Sequence, residues 1–243
     1  MLDLSEVSFV RPQSLVAIAI ALEVAVRSGA AVSVVEPRSM DVVNYLSRAH
    51  LPEILDQLEV AHNFGPVRER DLGLSIVELT RFNGNDGVVS LADSAYSFAL
   101  QQGSRPARAL HTAVCEAGEN VTVHAGIQHG YLVAQYYPQN GTFNFALADS
   151  GVGFYERLRG SGATDVAHAL NMAGQAGISS TGDSTRGLGL SSIRDHLLRL
   201  GGTMTLASRD QQRTYDSTHT DGYRSTNTGL IVGSLVYGSF SAT

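Results

Sequence analysis

The sequence TFNFALADSGVGF, residues 142–154, decides how the chain is interpreted. Its first part is apolar and strand-like, and it ends in Asp149, followed by two glycines one residue apart, Gly151 and Gly153. An acidic residue at a strand end with such glycines predicts a turn that lets a ligand approach the backbone. An ordinary strand-ending turn is an equal alternative. The dinucleotide-binding fingerprint is excluded, because Glu156 stands where its third glycine belongs.

A second polar pattern lies in CEAGENVTVH, residues 115–124. Glu116, Asn120 and His124 are four residues apart, so on a helix they form one slowly turning stripe. Taken alone, this stripe is better explained as a solvated helix face than as a binding or catalytic site. The single cysteine, Cys115, is predicted to be a packed core thiol. The neighbouring apolar stripe is predicted to face the core and consists of Leu110, Ala113, Val114, Ala117 and Val121.

A third pattern is GDSTRGLGL, residues 182–190, which leads into a helix predicted at 190–200. Glycines just before a helix N-terminus expose unpaired N–H groups beside the positive end of the helix dipole, which suits an anion. A flexible loop with a helix cap is the alternative.

The order of the three patterns resembles the GHKL superfamily of ATP-binding domains (gyrase, Hsp90, histidine kinase and MutL), nearest to the histidine-kinase-like ATPase type. The stripe from Glu116 to His124 is similar to the N box of that family. Asp149-x-Gly151-x-Gly153 is similar to its first glycine box and residues 187–190 to its second. Gly233-Ser234 resembles the terminal Gly-Thr. The resemblance covers residues 75–243.

This resemblance implies a Bergerat-type α+β sandwich over residues 74–243, with a mixed sheet and helices on one face. It implies ATP and Mg²⁺ as cofactors, with Asn120 as the metal ligand, Asp149 bound to the adenine amino group and Glu116 as catalytic base. Residues 155–186 would form a mobile ATP lid. The other implied nucleotide contacts are Gly151, Gly153, Arg186, Gly187, Leu188, Gly189, Leu190 and Ser234.

The first 62 residues alternate strand and helix signals, with strands at 7–10 and 31–35 around an apolar helix, which predicts parallel pairing. They resemble, more weakly, a STAS-like α/β domain. Pro12 and Gln13 stand where the phosphorylatable serine of that family belongs, so a docking surface is the favoured use. Residues 63–73 are predicted to be a linker.

Three further predictions concern local structure. Asn83-Gly84-Asn85-Asp86-Gly87 predicts a turn after a strand at 75–79, with a helix from 90 to 101. Strands at 131–137 and 142–148 predict a hairpin. The polar residues 209–228 predict a long mobile loop between strands at 203–207 and 230–240.

Composition narrows the classes of function. All 17 basic residues are arginine, which excludes a Walker-A lysine, a Schiff-base lysine and the strand lysine of protein kinases. A net charge of −6 argues against nucleic-acid binding. The longest apolar stretch, interrupted by Glu23, is too short to span a membrane. A single cysteine and an acidic start without a signal peptide favour the cytoplasm.

The resemblance implies an Mg-ATP-binding regulatory protein with slow ATP hydrolysis, or phosphoryl transfer to a partner, coupled to lid closure, and the composition places it in the cytoplasm. The alternatives are an anti-sigma-factor-type protein serine kinase and a non-catalytic interaction switch that binds nucleotide. We expect ATP or ADP and a protein partner, without nucleic acid or membrane; a homodimer is compatible with the sequence.

Overall fold

The computed structural model describes residues 1–65, 76–175 and 189–242. The described strands are β1 (Leu2–Asp3), β2 (Ser33–Val35), β3 (Ala61–His62), β4 (Ile76–Asn83), β5 (His129–Tyr137), β6 (Thr142–Asp149), β7 (Thr203–Tyr215) and β8 (Tyr223–Ser241). The described α-helices are α1 (Pro12–Arg27), α2 (Met40–Arg48), α3 (Leu51–Gln57), α4 (Gly84–Leu100), α5 (Ser104–His124), α6 (Gly153–Leu158), α7 (Val166–Ala173) and α8 (Gly189–Arg199). None of the described helices is both long and apolar enough to cross a membrane.

The N-terminal strands form a small parallel sheet in the order β1-β2-β3, as the strand–helix–strand pattern predicts. The first strand is Leu2–Asp3, however, and the predicted strand at 7–10 is wrong. The N–H of Ser5 donates to the Asp3 carboxylate and the N–H of Val7 to the carbonyl of Leu4. This turn carries the chain away from β2 before residue 7, so residues 7–10 have no strand partner in the described sheet.

The larger sheet has the order β4-β5-β6-β8-β7, and each of its described pairings is antiparallel. The predicted mixed sheet is therefore wrong for this part of the chain. The hairpin β5–β6 is confirmed, with Tyr137 opposite Thr142. Antiparallel neighbours need only short connections, which the turn at 138–141 provides.

Alternate residues of the larger sheet point to opposite sides and pack into two separate cores. The front face packs against residues of α4, α5, α6, α7 and α8, as expected of helices on one face. The rear face packs against α1 and residues of α2 and α3. Buried front-face residues are Leu132, Ala134, Phe145, Leu147, Leu206 and Val236. Buried rear-face residues are Tyr131, Val133, Ala146, Ala148, Ala207 and Leu235.

The helix α1 joins the N-terminal residues to this rear face. Leu15 and Ala19 are fully buried, and they belong to the same core as the rear-face strand residues. Burying one such leucine stabilises a fold by about 1.5–3 kcal/mol. The N-terminal residues therefore share a hydrophobic core with the larger sheet; the domain boundaries at 62 and 74 stay predictions.

The predicted turn at 83–87 is wrong, because α4 begins at Gly84 and runs through it. Asp86 lies in the first turn of α4, where a negative charge suits the helix dipole. Thr122 on α5 donates a hydrogen bond to the Asn85 side chain at 2.7 Å. A Cβ at Gly118 would lie 2.6 Å from Val88, so α4 and α5 cross closely. This tertiary packing overrides the local turn propensity.

The predicted mobile loop at 209–228 is also wrong. β7 and β8 continue through it as a two-stranded ribbon, with Gln211 opposite Thr226 and Thr214 opposite Tyr223. Polar side chains pair across the ribbon, since Gln212 donates to Ser225 at 2.8 Å. Cross-strand pairs of this kind stabilise strands without apolar residues, which is why hydrophobic patterning missed the extension.

Candidate functional site

Asp149, the last residue of β6, is buried, with 2% of its surface exposed. The N–H of Gly151 donates to its Oδ1 at 2.8 Å, and Ser234 on β8 lies opposite it. Burial raises the pKa of Asp149 to about 6, against the Gly151 hydrogen bond, the Arg157 charge and the nearby Ser234. A buried carboxylate with a pKa near neutrality is a typical feature of a functional site.

The two glycines after Asp149 make room for the chain's own backbone. A Cβ at Gly151 would lie 2.1 Å from the carbonyl oxygen of Ala125, at the end of α5. Gly153 has a φ of +76°, and a Cβ there would lie 2.8 Å from Ser208 Oγ. Internal packing therefore explains both glycines, and their contact with a ligand stays a prediction.

The helix α5 presents its apolar stripe to the front core as predicted, since Leu110, Ala113, Val114, Ala117 and Val121 are all buried. Glu116 and Asn120 are half-buried on the neighbouring side. Asn120 Nδ2 donates to the backbone carbonyl of Glu116 at 2.8 Å, which leaves Oδ1 for another partner. Burial and then the charge of Glu119 raise the pKa of Glu116, against His196. His124 belongs to α5, but its side chain lies outside the described part.

Arg157 on α6 is a site residue that the sequence did not reveal. Its Nη2 donates to Asn120 Oδ1 at 2.9 Å, and its guanidinium lies over the Phe154 ring at 5.6 Å from the centroid. Its Nε is buried and has no hydrogen-bond partner. Burial lowers the pKa of Arg157 to about 10, while Asp149 opposes that change. Arg157 thus connects the two side chains predicted to bind metal and adenine.

The start of α8 lies against the same side chains. A Cβ at Gly189 would lie 2.7 Å from Glu116 Oε2 and 3.8 Å from Asn120 Nδ2. Leu190 is buried and lines a cavity with Asn120 and Asp149. The structure thus brings the described residues of the three sequence patterns together. Arg186, Gly187 and Leu188 lie outside the described residues.

The cavity at this site is small. It measures about 10 Å³, and its walls include Asn120, Asp149, Arg157, Leu190 and Ser234. That is about the space of one water molecule, whereas small-molecule sites usually exceed about 300 Å³. A nucleotide could enter only if side chains that now line the cavity moved, among them Arg157, which is hydrogen-bonded to Asn120.

Part of the predicted lid is described. Residues 155–175 contain the end of α6, a 3₁₀ turn at Arg159–Ser161 and α7. Leu158, Ala169 and Leu170 pack into the front core, and Asp165 caps α7 by accepting from the N–H of His168 at 2.8 Å. The remaining lid residues, 176–186, lie outside the described residues, so mobility of the lid stays a prediction.

A larger open groove of about 420 Å³ lies between α8 and the turn that joins β7 to β8. Its walls include Arg194 and Asp195, which form an ion pair with each other at 2.8 Å. None of the predicted nucleotide-site residues that the structure describes lines this groove. We therefore keep the smaller cavity as the candidate site.

A polar cluster on the rear face was also missed by the sequence patterns. Glu23 of α1 is buried, with 6% of its surface exposed. Its Oε1 lies 2.6 Å from His129 Nε2 and 3.4 Å from Arg81 Nη2, and its Oε2 accepts from Ser150 Oγ at 2.9 Å. The signal was the charge of Glu23 within an apolar helix, because a buried carboxylate requires partners.

The donor set at the candidate site suits a magnesium ion only in part. Asn120 Oδ1 is a hard oxygen ligand of the kind that Mg²⁺ accepts when substrate phosphates and water supply the remainder. The same oxygen accepts a hydrogen bond from Arg157, so the two cations compete for it. Among residues 1–65, 76–175 and 189–242 there is no cluster of three His, Cys, Asp or Glu side chains suited to a metal.

No protein-family model matches the sequence, and no curated protein matches it.

Proposed function

We propose that the chain is an Mg-ATP-binding regulatory protein whose nucleotide site lies between α5, the end of β6 and the start of α8. The observation that carries this proposal is the meeting of Asn120, Asp149 and Leu190 at one cavity. These residues come from separate elements and from the three motifs that resemble the GHKL boxes. A solvated helix face would not place Asn120 beside a buried carboxylate.

Asp149 supplies the adenine-recognition group. Its Oδ1 already accepts from Gly151, and its raised pKa indicates that burial is not fully compensated. A carboxylate oxygen accepts a hydrogen bond from the amino group of adenine, whereas guanine presents a carbonyl at that position. The proposal therefore includes a preference for ATP over GTP.

Asn120 would hold Mg²⁺ through Oδ1 once Arg157 has released it. When bound, the ion would neutralise phosphate charge and orient the phosphates. Gly189 and Leu190 place the first turn of α8 beside Glu116 and Asn120, where N–H groups suit phosphate oxygens. Gly151, Gly153, Arg186, Gly187, Leu188 and Ser234 complete the proposed nucleotide contacts.

Glu116 is proposed as the base, since its raised pKa lies closer to neutrality than that of an exposed glutamate. It would accept a proton from water as the water oxygen bonds to the γ-phosphorus and the bond to the bridging oxygen breaks. The products are ADP and phosphate. A serine hydroxyl of a partner protein in place of water would give the kinase reaction, and lid closure would couple either reaction to partner binding.

The test is calorimetric titration of the full chain with ATP, ADP and GTP, with and without Mg²⁺. We expect ATP to bind more tightly than GTP, and Asn120→Ala and Asp149→Asn to weaken ATP binding at least about tenfold, the value of a hydrogen bond to a charged group. Asn140→Ala and Asp93→Asn, at exposed positions, are the matched controls. Equal affinity in the site variants and the controls would overturn the assignment.

Turnover separates the alternatives. ADP release by the wild type and its loss in Glu116→Gln, with ATP affinity retained, support hydrolysis. Transfer of phosphate to a serine of a partner protein would identify a kinase. Tight ATP binding with neither product would identify a non-catalytic switch.

A further inference from the structure

The C-terminal end of α1 reaches the turn that follows β6. Arg27, the last residue of α1, donates from Nη1 to Ser150 Oγ and from Nη2 to the Ser150 carbonyl oxygen, both at 3.2 Å. One planar guanidinium therefore donates to both the side chain and the backbone of a single residue. The fixed arrangement of its donors suits arginine to this geometry. Ser150 stands directly between Asp149 and Gly151.

The Ser150 carbonyl that Arg27 binds belongs to the same peptide group as the Gly151 N–H. A peptide group is planar and rigid, so fixing its C=O end fixes the direction of its N–H end. That N–H donates to Asp149 Oδ1 at 2.8 Å. Arg27 therefore influences the orientation of the Asp149 carboxylate through this one rigid peptide group.

Glu23 anchors the other end of Ser150. It lies one helical turn before Arg27, so both side chains are on the same side of α1. Ser150 Oγ donates to Glu23 Oε2 at 2.9 Å, and Glu23 is held in turn by His129 and Arg81. The hydroxyl and the carbonyl of Ser150 are therefore both tied to one N-terminal helix.

We propose that Arg27 is a positioning residue for the nucleotide site, through which helix α1 of the N-terminal segment sets the orientation of the Asp149 carboxylate. The inference rests on the proposed nucleotide site for its functional meaning, but the positioning itself is a property of the free protein. Through Arg27 and Ser150, the N-terminal segment would influence base recognition.

The first test needs no nucleotide. Amide hydrogen exchange is followed by NMR at Gly151 and Val152 in the full chain, in wild type, Arg27→Met and Arg11→Met. The Val152 N–H donates to the Ala125 carbonyl and does not depend on α1. We expect Arg27→Met to speed exchange at Gly151 about fivefold, as for one weakened hydrogen bond, with Val152 unchanged. Arg11→Met, an exposed arginine before the same helix, leaves both amides unchanged.

Two results would overturn the proposal. Unchanged exchange at Gly151 in Arg27→Met would show that the peptide group is held without Arg27. Equal acceleration at Gly151 and Val152 would show general loosening of the turn rather than positioning.

The second test measures the consequence for recognition. We expect Arg27→Met to weaken ATP binding about fivefold while GTP and inorganic triphosphate bind as to wild type, because only the adenine contact depends on Asp149. An unchanged ratio of ATP to GTP affinity would contradict the inference. If wild type binds no ATP, the proposed function fails, while the exchange experiment still decides whether Arg27 positions Asp149.

Discussion

Two buried carboxylates lie on opposite sides of the larger sheet and differ in how they are satisfied. On the rear, Glu23 has three side-chain partners, His129, Arg81 and Ser150. On the front, Asp149 accepts from the Gly151 backbone, and burial raises its pKa to about 6. Both residues are more than nine-tenths buried.

Glu23 is paired with side chains of the protein itself, whereas Asp149 is the carboxylate that the proposed nucleotide site would use. A buried charge costs several kcal/mol unless its hydrogen-bonding capacity is used. Glu23 meets that requirement within the protein and holds α1 to the sheet. Asp149 accepts from Gly151 and lies near Arg157 and Ser234, and in the proposed site an adenine amino group would be a further donor. Both faces of the sheet pack against a hydrophobic core, and the proposed ligand site lies on the front.

The largest expected effect tests whether the two sides unfold together. Leu15→Ala on α1 and Leu110→Ala on α5 each remove a fully buried side chain, and each should lower the free energy of unfolding by about 2–5 kcal/mol. Chemical denaturation followed by circular dichroism should show one transition for both variants. A separate early transition in Leu15→Ala alone would contradict cooperative unfolding of the two sides, because α1 would then unfold independently.

Replacing Glu23 should cost more stability than replacing Asp149. Glu23→Gln removes the charge that His129 and Arg81 face, and we expect a loss of about 1–3 kcal/mol in the free energy of unfolding. Asp149→Asn at pH 8 should be neutral or stabilising, because it removes a buried charge. The same denaturation experiment measures both. A larger loss in Asp149→Asn would show that the front carboxylate is the structural one.

The pH dependence of stability should identify Asp149. Its folded pKa of about 6 lies above the ordinary value of 3.8, so the fold favours its neutral form. The resulting stabilisation is complete below pH 3.8 and is lost as pH rises through 6. Between pH 4 and pH 8 the wild type should therefore lose about 2 kcal/mol relative to Asp149→Asn. Parallel stability curves for the two proteins would contradict a raised pKa at this carboxylate.

The smallest expected effect concerns the competition between Arg157 and magnesium. Arg157→Met frees Asn120 Oδ1 from a 2.9 Å hydrogen bond. The Mg²⁺ concentration that gives half-maximal ATP binding should then fall about threefold to tenfold. Titration of Mg²⁺ at fixed ATP measures it, with Arg159→Met, an exposed neighbour, as the control. A rise in the Mg²⁺ requirement would show that Arg157 supports the ion instead.

Local periodicity predicted the elements whose structure depends on residues close together in the sequence. The apolar stripe of α5 and the hairpin of β5 and β6 are present as expected. The spacing of Glu116 and Asn120 placed both beside the start of α8, and Asn120 lines the cavity. The helix across residues 84–87 could not be predicted from the local sequence, because its start packs against α5, where Thr122 binds Asn85 and Gly118 lies against Val88. The extension of β7 and β8 could not be predicted either, because polar side chains that pair across the two strands leave no hydrophobic pattern.

The missed site residues depend on contacts far apart in sequence. Glu23 meets His129 and Ser150 across more than a hundred residues, and no local pattern encodes such a pairing. Its one trace was a charge inside an apolar helix. No sequence pattern indicated Arg157, because an arginine in a short polar segment is usually solvated. Arg186, Gly187 and Leu188 lie outside the described residues, and their roles stay predictions.

The proposed nucleotide site is tested most directly by calorimetric titration of the full chain and of Asp149→Asn with ATP in the presence of Mg²⁺. We expect saturable ATP binding to wild type, with an affinity at least about tenfold lower in Asp149→Asn and a folded variant of equal or greater stability. Absence of ATP binding to wild type, or equal affinity in the two proteins, would contradict the nucleotide site proposed at the end of β6.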